Sequence, residues 1–150
     1  MSALEEIRKL SQQFAYTSIQ MHEAIGRKAG MSGTDHKYLG FLIQRGEMTA
    51  GEFSAITGLT TGATTSLIDR FEKKKLVERK PDKTDRRKVI IVPDTNKIAA
   101  LLKPLYEDFQ TNTENLFATF STEELKVLER YFLNAMEIMN RKIKTINQNQ

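Results

Sequence analysis

The chain contains no cysteine, which excludes a disulfide, a thiolate-ligated metal and a thiol redox switch. Histidine is almost as scarce. The two present, His22 and His36, stand apart in the sequence, and His22-Glu23 or Asp35-His36 would need partners from elsewhere to hold an ion, so neither a metal nor a cofactor is expected. No Gly-rich phosphate loop and no pair of carboxylates at a recognisable spacing occurs, which argues against an enzyme. Apolar runs approaching about 18 residues are missing too, and the N-terminal MSALEEIRKL carries acids where a secretion signal would be basic and then apolar. No membrane partner is expected, and the predicted location is cytoplasmic.

What is present fits one soluble globular unit of 150 residues, 39% hydrophobic and 28% charged, large enough for a single core. The formal net charge is +4, and its position says more than its size. Between Thr60 and Val92 stand ten basic and five acidic side chains, a net +5, so the remainder is slightly acidic. A modestly basic balance fits nucleic acid or an anionic membrane but also many ordinary proteins; what is informative is that the positive charge belongs to one region.

Apolar residues at Leu4, Ile7, Leu10, Phe14, Met21 and Ile25 mark one face of a long first helix, with Gly30 as its stop. A short second helix starts near Thr34, buries Tyr38, Leu39, Leu42 and Ile43, and ends at Gly46. Thr49 and Glu52 have the spacing of a capping box, which opens a brief helix that turns Phe53 and Ile56 inward before a tight turn at Gly58. Thr60 then caps a helix with the buried stripe Ala63, Leu67, Ile68 and Phe71. Two short helices across a glycine turn form a helix-turn-helix pattern. VERK and KVIIVP read as strands around the turn PDKTDR, so a basic β-hairpin follows directly and makes a wing.

After Pro93 and Asp94 a long helix carries Ile98, Leu101, Leu102, Leu105, Phe109, Leu116 and Phe120, with Pro104 predicted to kink it. Ser121 and Glu124 form a second capping box. The last helix places Leu125, Leu128, Phe132, Met136, Met139, Ile143 and Ile146 at steps of three and four. Such a seam packs within the chain or, the stronger reading, against a second subunit. The terminal INQNQ reads as a frayed tail.

The segment Thr49 to Pro93, with Leu67 to Arg79 in the pattern L-I-D-R-x-E-K-x-x-L-V-x-R and Asp85 and Arg87 as the wing's D-x-R, resembles the MarR family of bacterial transcription regulators. The resemblance implies a mainly α fold with a small β-hairpin wing: a winged helix-turn-helix, residues 34–93, flanked by N- and C-terminal dimerisation helices, residues 1–33 and 94–150. It also implies a homodimer astride double-stranded DNA with a palindromic operator. The family usually has Gly where this chain has Lys75, and the turn there is expected to be built differently.

On the helix after Thr60, the outward face is Thr61, Gly62, Thr65, Ser66, Asp69 and Lys73. Hydroxyls can meet base edges in a major groove and a Thr methyl can pack on thymine, while Gly62 lets the backbone approach. With no Arg, Asn or Gln in the first turn, much of the specificity is expected from DNA shape. Arg70 and Lys73 suit phosphates. Arg86 and Arg87 at the wing tip suit a narrow minor groove, with Asp85 orienting a guanidinium; the resemblance gives the minor-groove contact to Arg87. It also implies a small aromatic or phenolic ligand in a crevice between the two parts, for which Tyr16, His22, Tyr38 and Phe41 are the candidates. The function expected is a homodimeric, sequence-specific DNA-binding regulator, a repressor whose operator affinity a small ligand modulates. The alternative is a winged-helix module for protein association, or non-specific DNA binding without ligand sensing.

Overall fold

The computed structural model describes residues 1–32 and 34–148. In chain order the elements are α1 (Ala3–Lys28), α2 (Asp35–Arg45), β1 (Met48–Thr49), α3 (Ala50–Thr57), α4 (Thr61–Lys73), β2 (Val77–Pro81), β3 (Val89–Pro93), α5 (Thr95–Phe117) and α6 (Thr122–Gln148). They fall into two compact units, Met1–Tyr106 and Glu107–Gln150. The mainly α winged helix-turn-helix expected from the sequence is the fold observed.

Local chemistry sets most helix starts. At α1, Ser2 accepts from the Glu5 amide at 3.2 Å and the Glu5 carboxylate accepts from the Ser2 amide at 2.7 Å. The same reciprocal box opens α6 through Ser121 and Glu124, at 3.0 and 3.1 Å. Thr49 and Thr60 each accept one amide, from Glu52 at 3.0 Å and Ala63 at 3.1 Å, satisfying donors that the helix itself leaves open. Gly58 ends α3 in the left-handed region, with φ of 76°, where a side chain would be strained.

The sheet has three antiparallel strands in the order β1-β3-β2, not the two of a bare hairpin. Met48 and Thr49 pair with Ile91 and Ile90, while Val77 to Pro81 run against Pro93 to Val89. The wing is thereby held on both sides of β3. Beneath it sits the core of the first unit, with Leu39, Leu42, Phe53, Leu67, Ile68, Phe71, Val77, Ile91 and Ile98 all buried, each worth about 1.5–3 kcal/mol relative to exposure.

Several inward assignments change. Ile43 and Ile56 are exposed, because Leu39, Leu42 and Phe53 already fill the inner faces of their short helices. On α4, Ala63 is exposed and Thr64 is buried in its place. The Thr64 hydroxyl finds the Ser54 hydroxyl at 2.7 Å, so a polar residue is accommodated where the two helices meet. Phe120 lies past the end of α5, which runs unbroken through Pro104. Ile146, Asn147 and Gln148 of the supposed tail belong to α6; Asn149 and Gln150 lie outside the described residues, as does Gly33 at the expected domain boundary.

Lys75 does not avoid the glycine geometry. Its φ is 59°, in the left-handed region, and the amides of Leu76 and Lys75 donate to the carbonyls of Phe71 and Glu72, both at 2.9 Å. That is the bond pattern of a Schellman stop, built with lysine and carrying its strain. Replacing Lys75 with Gly is expected to raise unfolding free energy by about 0.5–1 kcal/mol, the left-handed cost relieved less the extra chain entropy of glycine. Urea unfolding of the two proteins measures the difference.

Candidate nucleic-acid interface

The first two turns of α4 present Thr61, Gly62, Thr65 and Ser66, all exposed. Burial of Leu67, Ile68 and Phe71 on the opposite side turns them outward. A Cβ at Gly62 would meet open space, so nothing inside the fold calls for glycine there. Thr65 donates its hydroxyl to the Thr61 carbonyl at 3.0 Å, which leaves its methyl and the oxygen lone pairs outward. Lys73, in the last turn, is exposed as well.

The wing tip is a hydrogen-bonded turn. The Asp82 amide donates to the Lys88 carbonyl and the Lys88 amide to the Asp85 carbonyl, each at 3.0 Å, and Asp82 accepts from the Thr84 amide at 3.1 Å. Asp85 accepts from both the amide and the Nε of Arg87, at 3.1 and 3.2 Å. One carboxylate oxygen thus fixes the direction in which the guanidinium leaves the turn, yet the Arg87 side chain stays 92% exposed. Arg86 beside it is exposed too.

Arg70 is engaged elsewhere. Its Nε and terminal nitrogen grip Asp35 at 2.7 and 3.0 Å, a two-pronged pair that ties α4 to the start of α2. Asp35 is nearly buried there, while Arg70 is half exposed. Burial alone would raise the Asp35 carboxyl, but hydrogen bonds from Arg70 and Ser32 and the charges of Arg70 and Lys74 outweigh it and hold the group below its ordinary value. Arg79 on β2 ties down the other side of α4. It donates to Asp69 at 2.6 Å and to Glu72 at 3.1 Å, and so engages two acids of the helix with one charge. Neither pairing has a spacing signal, since the partners lie 35, 10 and 7 residues apart.

The candidate ligand residues go to different places. Tyr38 and Phe41 both pack edge-on against Phe53, with centroids 6.0 and 6.1 Å away; they line the core. Tyr16 is exposed on α1. His22 bonds Tyr106, which in turn bonds His36, so the two histidines are brought together rather than isolated. A groove of about 860 Å³ at the base of the wing is lined instead by charged side chains such as Glu72, Lys75, Arg79 and Lys97.

The helix-turn-helix with its wing is also the fold that comparisons with known proteins return. A model of the MarR family matches residues 29–88. An uncharacterized HTH-type transcriptional regulator of Bacillus subtilis, YcgE, is 34% identical over 98% of this chain and 92% of its own length. The chain belongs to the MarR family. As a MarR-family transcription regulator it falls in a group whose members are not enzymes. Its fold is shared by a MarR family protein from Bacillus stearothermophilus, with a TM-score of 0.67 at 24% identity over 93% of this chain and 99% of that one. A mutant MarR from E. coli complexed with operator DNA matches at a TM-score of 0.55 and 21% identity, over 91% of this chain and 99% of that one. Among the described residues, no helix is long and apolar enough to cross a membrane.

The Asp35–Arg70 pair generates a stability prediction. Because the folded carboxyl lies below its ordinary value, the unfolded chain takes up the proton first on acidification. The contribution is therefore present above the unfolded value and lost as pH falls below about 4. Replacing Asp35 with Asn is expected to cost about 1–2 kcal/mol near neutrality, less than a fully buried pair because Arg70 is half in water. Denaturant unfolding of both proteins should show the gap closing below about pH 4.

Proposed function

We propose that the chain acts as a homodimeric, sequence-specific DNA-binding repressor, with residues 34–93 reading the operator and residues 1–33 and 94–150 pairing the subunits. The observation that carries this reading is the Asp85–Arg87 pair: a carboxylate aims an almost fully exposed guanidinium away from the wing tip. A narrow minor groove is the surface whose enhanced negative potential draws such a group. The Thr61, Gly62, Thr65 and Ser66 face enters the adjacent major groove, and Arg86 and Lys73 meet phosphates. Arg70, held by Asp35, positions the helix and offers phosphates only its outer edge.

Dimerisation is supported by apolar surface that one chain leaves in water. On α6 Phe132, Met136, Met139, Ile143 and Ile146 are exposed, and on α1 so are Leu4, Ile7, Leu10 and Phe14. Stripes of that length are uncommon on a monomer. Two winged helices in a two-fold dimer then read half-sites about ten base pairs apart, a palindrome. A small aromatic or phenolic ligand that shifts the wing spacing belongs to the same reading; His22 is the candidate already in polar contact with a neighbouring helix.

Purified protein is mixed with a pool of random duplexes at two salt concentrations, and the retained DNA is sequenced. A palindrome with steep salt dependence is expected; retention without enrichment would leave a non-specific binder, and no retention would favour protein association. Replacing Arg87 with Ala is expected to lower affinity for the selected duplex by about tenfold or more, with the dimer intact by sedimentation. Unchanged affinity would remove the minor-groove role. Replacing Ile143 with Glu should give a folded or partly folded monomer in the same sedimentation run.

A further inference from the structure

Three side chains from three helices of the first unit meet around one hydroxyl. The Nδ1 of His22, on α1, lies 2.6 Å from the Tyr106 oxygen on α5, and the Nε2 of His36, on α2, lies 3.0 Å from it. The imidazoles are near parallel, with centroids 6.0 Å apart and planes inclined by 21°. His36 is buried, and His22 and Tyr106 are half-buried. The approach of α1 to α2 is tight here, since a Cβ at Gly26 would stand 2.8 Å from the Cβ of His36.

Counting protons shows what the arrangement tolerates. A phenol donates one hydrogen bond and accepts others, and a neutral imidazole offers one donor and one acceptor nitrogen. With both rings neutral, the hydroxyl donates to one and accepts from the other. A first added proton goes to the remote nitrogen of the ring that already donates, and both bonds survive. A second proton must go on the nitrogen that was accepting from Tyr106. Both rings then present donors, the phenolic hydrogen loses its acceptor, and two cations stand stacked in a partly buried site.

We propose that His22, Tyr106 and His36 form a proton-operated latch, closed while at least one imidazole is neutral and opened by the second proton, with loss of affinity for DNA. The last step rests on the DNA-binding reading above; the latch itself does not. Its route to α4 is short. His36 follows Asp35 in the first turn of α2, and Asp35 holds Arg70 of α4, so release of α2 from α1 and α5 loosens the seat of the groove-reading helix.

The surrounding charges suit this behaviour. His36 faces His22 from α1 and the Tyr106 hydroxyl from α5, while Asp35, its neighbour on α2, is engaged by Arg70 and Lys74 of α4. Glu23 on α1, Lys37 on α2, and Lys103 and Glu107 on α5 flank the three in sequence. Burial first, and then the charge of His22, hold His36 below the ordinary histidine range. Burial raises Tyr106, so the phenol keeps its proton throughout. A depressed histidine stabilises the fold above its unfolded value and loses that contribution as pH falls, the direction in which the latch opens.

The test is an NMR titration of both imidazoles in the full chain between about pH 5 and 8. Two coupled steps are expected, with weaker coupling when Tyr106 is replaced with Phe, since the ring charges still meet but the shared hydroxyl is gone; independent curves in the unaltered chain, or coupling that the Phe replacement leaves unchanged, overturn the latch. In parallel, affinity for a selected duplex of about 30 base pairs is followed with pH at fixed salt. The comparison is the double variant His22→Asn/His36→Gln, whose amides keep hydrogen-bonding atoms near the ring positions without titrating. From pH 7.5 to 5.5 the unaltered chain is expected to lose about fivefold more affinity than the double variant, and parallel profiles would overturn the proposal. If neither protein retains DNA at any pH, the DNA-binding reading fails and the imidazole titration alone decides the latch.

Discussion

The place of α4 depends on charges spent inside the chain. Arg70 goes to Asp35 on one side and Arg79 takes Asp69 and Glu72 on the other, while Leu67, Ile68 and Phe71 anchor the helix below. Apolar burial supplies most of the energy but little direction, because a smooth face can slide or rotate at modest cost. Two-pronged ion pairs supply direction. Their exposed members contribute little stability; their effect is to fix which four side chains the helix shows.

That division of labour also explains what could be read in the sequence. Capping residues act over three positions, and Ser121, Glu124, Thr60 and Gly58 were legible because cause and effect lie within one turn. The stripe of Leu67, Ile68 and Phe71 was legible by period. The misassigned residues, Ile43, Ile56 and Ala63, sit at the margins of stripes on short helices, where one step of about 100° decides between core and water. Thr64 took an inner position because Ser54 waits opposite it, which no local pattern announces.

The candidate site divides in the same manner. The outward face of α4 and the D-x-R of the wing are local features, and the fold presents both where their spacing suggests. Arg70 suggests a phosphate ligand from its own neighbourhood because its partner lies on another helix, and Tyr106 carries no local signal because a tyrosine on a helix face usually indicates core. Lys75 shows the reverse case: the backbone geometry of the turn prevailed over the residue placed in it. The backbone hydrogen bonds made by the amides of Lys74, Lys75 and Leu76 at the helix stop outweigh about 1 kcal/mol of strain.

Thr49 belongs to two elements at once, pairing with Ile90 as strand β1 and capping α3 through its hydroxyl. The stem of the wing is therefore bolted to the helix-turn-helix at its base, with the Asp82 and Lys88 bond closing the far end. Only the short arc from Lys83 to Arg87 lies beyond that closure. A hairpin built in this way is a stiff strut ending in a five-residue arc that is itself hydrogen-bonded. On the proposed DNA-binding reading, a groove of the wrong width must then deform to meet it, because the stem cannot.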